Sequence, residues 1–133
     1  MYSIDEIMDM LDWNNDYDIQ EKGRILSKDI RCINVFLRPG HLGHGKNVWD
    51  NCAKILAERL DTELEPYLHE LFEWLLDMNC PGAYCVWERL LHYGESVWFD
   101  KVLNLCIDES KALNEEIWLD NLLEFQKQRK IHE

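Results

Sequence analysis

Proline and glycine are scarce in this chain, with 3 and 6 residues in 133. So few backbone breaks leave little room for the closely spaced turns of a small all-β domain, and they favour helices. Positive charge is also in short supply: 14 Lys and Arg stand against 26 Asp and Glu, a formal net charge of -12. Such a surface repels phosphate backbones and anionic lipid, which argues against nucleic-acid and membrane binding. No apolar run approaches the roughly 20 residues that cross a bilayer. The first residues are acidic, where a secretory signal carries positive charge. The five cysteines, Cys32, Cys52, Cys80, Cys85 and Cys106, are an odd set without paired spacing. They read as reduced, mostly buried thiols rather than a disulfide framework. These absences together predict a cytoplasmic protein.

What the chain does have is apolar mass. Hydrophobic residues make up 47% and there are 6 tryptophans, enough to build one core in a chain of single-domain length. The acids are unevenly spread. Residues 1–21 carry seven of them and no Lys or Arg, residues 22–46 are basic, and the stretch from Glu58 to Asp77 again holds seven acids against Arg59 alone. An acidic face attracts a basic protein and speeds their encounter; its bland alternative is solubility.

The apolar residues recur at helical spacing. Ser3 and Glu6 form a capping box ahead of Ile4, Ile7, Met8 and Leu11. A second helix is predicted from Asn15 or Asp16, with Ile19, Gly23, Leu26 and Ile30 as its stripe and close helix approach at Gly23. Ile30 to Leu37 reads as a helix end and an extended segment, and Arg38 to Gly45 as a loop. Asn47 is expected to cap a helix to about Arg59, and Asp61 the next, in which Leu64, Leu68, Leu71 and Leu75 face inward. After a polar break at Asp77–Cys80, helices are predicted from Pro81 to about His92, from Ser96 carrying Val97, Trp98, Val102, Leu105 and Cys106, and after Asn114 with Ile117, Trp118, Leu122 and Phe125; most of the six tryptophans are expected in the core, with one or two exposed as binding anchors. The pairs Val48-Trp49, Val86-Trp87 and Ile117-Trp118 hint at a repeat of hairpin length. The expected fold is therefore all-α, one domain over residues 1–133, with six or seven helices stacked as antiparallel hairpins in a short HEAT-like solenoid.

Chemistry-bearing motifs are few. Gly40 to Lys46 falls one residue short of a phosphate-binding loop, is followed by Asn47 in place of the magnesium-holding hydroxyl, and sits in a chain without alternating strands. His41 and His44, with Cys32 and Cys52 flanking, offer zinc-ligand types, but only the histidines are closely spaced. Cys80 lies in the polar break near a helix start, where a thiol pKa can fall, with no histidine nearby in sequence. Acid pairs such as Glu70 and Glu73 lack an obvious nucleophile to serve. No cofactor, metal or catalytic set is assigned, and an enzyme is not predicted.

Two stretches, Lys46-Asn-Val-Trp-Asp-Asn-Cys-Ala-Lys-Ile-Leu56 and Glu73-Trp-Leu-Leu-Asp-Met-Asn-Cys-Pro-Gly-Ala83, resemble a family of small bacterial helical proteins. Its members carry a Trp-Leu-Gln-Asp-Met/Leu-Asn-Trp-Pro-Gly-like motif behind a Val-Trp-x-Asn-Cys-Ala-like helix start. The resemblance covers roughly residues 1–95, the part after Gly94 reading as an added helical hairpin. This chain departs from the motif at Leu76 and Cys80. The resemblance implies an immunity-type role in a toxin–immunity system: binding and neutralising a cognate antibacterial toxin, a basic nuclease domain, by occluding its active site. The expected partner surface is Glu63, Glu70, Glu73, Asp77, Asn79 and Trp87. Asn79 also has the bland role of capping the helix opened by Pro81, and Asp77 that of holding the turn. The alternative from a different class is a non-enzymatic helical-repeat adaptor.

Overall fold

The computed structural model describes residues 2–38 and 45–132. These residues are helical and contain no strand, so the all-α class holds. Among the described residues there are eight α-helices: α1 (Ile4–Met10), α2 (Tyr17–Ser27), α3 (Trp49–Ala57), α4 (Asp61–Leu64), α5 (Leu68–Glu73), α6 (Ala83–Leu91), α7 (Val97–Ala112) and α8 (Glu116–His132). Consecutive helices pair at the two ends, α1 on α2 and α7 on α8. Between them the packing joins elements distant in sequence: α3 lies on α6, α5 on α7, and α8 reaches both α6 and the turn Trp74–Leu76.

Several local expectations hold for the stated reasons. The Ser3–Glu6 capping box closes α1, with the Glu6 amide donating to the Ser3 hydroxyl at 3.1 Å and the Ser3 amide to Glu6 at 3.1 Å. Gly23 is a helix–helix contact: an added Cβ would sit 2.9 Å from Met10 Cβ and 3.0 Å from Leu11. Leu64, Leu68, Leu71 and Leu75 are all buried. Ser96 caps α7 through the Phe99 amide at 3.1 Å.

Others are corrected. The helix from Asp61 is interrupted by a 3-10 turn at Glu65–Tyr67, because Pro66 has no N–H to continue the ladder. Ile30 to Leu37 contains a 3-10 turn, Ile33–Phe36, that buries Ile33 and Phe36. Asn47 is no helix cap; its side chain accepts from the Gly45 amide at 3.2 Å and donates to Asp12 at 2.7 Å. Asn114 does not cap α8 but closes α7 in the left-handed region (φ 56), with the Glu115 amide reaching back to Ser110 O at 2.9 Å. The inner face of α7 is Phe99, Val102, Leu103, Cys106 and Ile107, leaving Val97, Trp98 and Leu105 outside, and Ile19 and Ile117 are also exposed.

The core is aromatic at its centre. Phe72 meets Phe99 at 5.3 Å and Phe125 at 5.6 Å between ring centroids, both edge-on. Arg129 crosses this region almost fully buried, 6% exposed, with its guanidinium 4.1 Å from the Phe99 ring centroid. It donates to the carbonyls of Leu90, Leu91, Tyr93 and Gly94 at 2.7–3.2 Å. Carbonyls at the end of α6 and in the segment after it thereby gain a donor from a side chain of α8.

Candidate functional site

The break around which the chain turns, Asp77 to Gly82, is built from its own side chains. Trp74 is fully buried and its indole N–H donates to the Pro81 carbonyl at 3.1 Å. Asp77 Oδ1 accepts from the Asn79 amide at 2.9 Å, an Asx turn, and the Cys80 amide returns to Asp77 O at 3.1 Å. Asp77 thus holds the turn as expected. Asn79 does not cap the next helix: α6 starts at Ala83 with Gly82 as its flanking residue at φ 85, a conformation glycine adopts without strain. A Cβ on Gly82 would lie 2.7 Å from Ala53 Cβ and 2.9 Å from the Trp49 carbonyl, so this glycine also lets α6 dock on α3.

Cys80 is buried in the same turn. Burial first, and then the Asp77 charge, push its thiol above the ordinary value, and its Sγ lies 3.8 Å from the Trp74 carbonyl. Burial pushes Cys52 and Cys106 up to about 12. Thiols held protonated in this way are packing groups, not nucleophiles. Cys52 is enclosed in the core and Cys32 is exposed. The zinc candidates His41 and His44 lie outside the described residues, as does most of the glycine-rich segment before Lys46. Among the described residues no group of three or more His, Cys, Asp or Glu is placed to hold a metal ion.

Charge converges elsewhere, on the face shared by α5 and α7. His69 and Glu73 are one turn apart on α5, with His69 Nδ1 and Glu73 Oε1 at 3.1 Å. Glu109 comes from α7 and meets His69 Nε2 at 2.8 Å. The hydrogen bond to Glu109 leads in raising the His69 pKa above its ordinary 6.5, burial opposes it, and the charges of Glu73, Glu109 and Glu70 add to the rise. Both ring nitrogens face carboxylates on opposite edges, an arrangement the protonated imidazole satisfies by donating at each nitrogen. Glu70 and Glu73 line a shallow groove of about 140 Å³ with Leu37 and Arg38, and Arg38 donates to the Glu73 carbonyl at 3.2 Å.

The six residues expected to form one partner surface are therefore distributed. Glu70 and Glu73 lie together. Glu63 sits at the start of α4, where its carboxylate accepts from the Leu60 amide at 3.1 Å and meets Arg59 at 3.4 Å. Asp77 and Asn79 belong to the turn, and half-buried Trp87 sets its ring edge-on to Phe125 at 5.3 Å. His69 and Glu109 were missed by the sequence reading; the His69–Glu73 spacing of one helical turn was available as a signal, whereas the approach of Glu109 depends on how α7 packs.

A family model described as a domain of unknown function, DUF5071, matches residues 46–133. The chain belongs to the DUF5071 family. The DUF5071 region runs from the 3-10 turn ahead of α3 to the end of α8, taking in both the central turn and the α5–α7 face. It includes the helices after Gly94, and α1 and α2 lie before it. No curated protein and no solved structure matches the chain.

Proposed function

We propose that this DUF5071 protein is a non-enzymatic, cytoplasmic binding protein of immunity type, which neutralises a cognate antibacterial toxin by covering its active site. The toxin is a basic domain, a nuclease, and the acidic α5–α7 face stands in for its nucleic acid. The observation that supports this best is the convergence of Glu73 and Glu109 on His69, with Glu70 beside them, on a chain of net charge -12. No described helix is long and apolar enough to cross a membrane, which agrees with an encounter in aqueous solution.

The test is affinity capture with the full chain as bait from its source cells, washed at low and at high salt, followed by a nuclease assay on the captured protein. One basic partner retained at high salt, whose nuclease activity falls in proportion to added chain, is the expected result. Several weak partners lost with salt would instead identify a helical adaptor, and an unaffected nuclease would overturn the neutralising role.

A further inference from the structure

One helix leaves large apolar side chains outside the core in an ordered pattern. On α7, Trp98 is 46% and Leu105 is 52% exposed, and Ala112 is exposed further along. The three are spaced by seven residues, so they line one edge of the helix, with exposed Lys101 and Asp108 between them. One turn beyond Leu105, Glu109 leans toward α5 and its pair with His69. The apolar edge thus runs alongside the carboxylates of Glu73 and Glu109.

We propose that this edge of α7 is a docking seam for a helix of the basic partner, one that sets aliphatic residues on Trp98 and Leu105 and Lys or Arg beside Glu109, Glu73 and Glu70. The basic character of that helix rests on the function proposed above; the seam itself rests on the α7 pattern. Seven-residue spacing is what a second helix meets when it packs along the first. Exposed Trp is the side chain type most often found to carry interface energy. A second copy of this chain is a poor occupant, because two surfaces of a chain with net charge -12 would be brought together.

The experiment titrates the isotope-labelled full chain with two synthetic peptides of one Leu/Lys composition, one with leucines in heptad order and one scrambled, and follows backbone and indole resonances. The ordered peptide is expected to shift the Trp98 indole and the α7 and His69 amides saturably. The pair Trp98→Ala with Leu105→Ser should raise its Kd at least about tenfold, as loss of a central anchor does, while the melting temperature stays within about 3 °C because both side chains are exposed. Equal binding of the scrambled peptide, no binding of either, no effect of the pair, or self-association through this edge in sedimentation would each overturn the seam. None of those results touches a toxin bound elsewhere on the chain, and capture of no toxin leaves the peptide result standing.

Discussion

The turn at Asp77–Gly82 and the α5–α7 face are both rich in polar groups, and they use them in opposite directions. In the turn, the Asp77 carboxylate pairs with the Asn79 amide and the Trp74 indole with the Pro81 carbonyl, and Gly82 gives up its side-chain space to Ala53. On the α5–α7 face Glu73 and Glu109 pair with His69 at the edge of solvent, and each of these contacts leaves both partners about one-third exposed or more. The distinctive motif of the sequence is therefore a device of folding, and the less distinctive acids beside it are the surface another molecule can reach.

Breaking the closed side should cost most. Gly82→Ala combines a left-handed φ with overlap against Ala53 and the Trp49 carbonyl, and should destabilise the fold by about 3 kcal/mol or more in chemical denaturation. A loss below about 1 kcal/mol would mean that α6 slides on α3 without cost. Arg129→Met takes the guanidinium away from the carbonyls of Leu90, Leu91, Tyr93 and Gly94, of which Leu90 keeps the Tyr93 amide, and should cost about 2–4 kcal/mol in the same measurement. Equal stability would show that water replaces the guanidinium there.

The open side should respond to pH and charge rather than collapse. Because the folded His69 pKa is raised above 6.5, its pairing contributes fully below that pH and is lost as pH rises through the folded value. The stability difference between the native chain and His69→Gln should therefore be largest below pH 6.5 and shrink above it; a difference independent of pH would remove the histidine from the charge balance. Glu70→Lys, at an exposed site, should leave stability within about 0.5 kcal/mol, whereas adding Glu73→Lys takes a carboxylate from His69 and should lower stability below pH 6.5. The same pair should slow association with a basic partner and flatten its salt dependence, and unchanged kinetics would place that partner elsewhere.

Much of this comparison was legible in the sequence where the physics is local. The Ser3 box, the Ser96 cap, the Leu64–Leu75 stripe and the Asp77 turn each depend on residues within a turn or two of one another. The misassignments share the opposite cause. Asn47 and Asn114 are acceptable cap residues, but one is claimed by Asp12 from the α1–α2 connection and the other is fixed by the end of the preceding helix. Trp98 and Leu105 fit a helical period beside Val102 and Cys106, and period does not say which of two adjacent stripes meets the rest of the chain, so which tryptophan is exposed was not legible. The burial of Arg129, near the C-terminal end of α8, follows from α8 crossing the end of α6 and could not be read from its own helix.

Asn51, on α3 inside the matched region, is almost fully buried, and its whole amide is turned toward helices that lie before that region. It donates to the Leu11 carbonyl at 2.7 Å and to Gln20 at 2.9 Å, and accepts from Arg24. A relative built without counterparts of α1 and α2 would leave that amide against nothing, at a cost of about 1–3 kcal/mol. Substitution at this one position then becomes a marker of architecture across the family: asparagine where two leading helices dock on α3, and an aliphatic or solvated side chain where they do not.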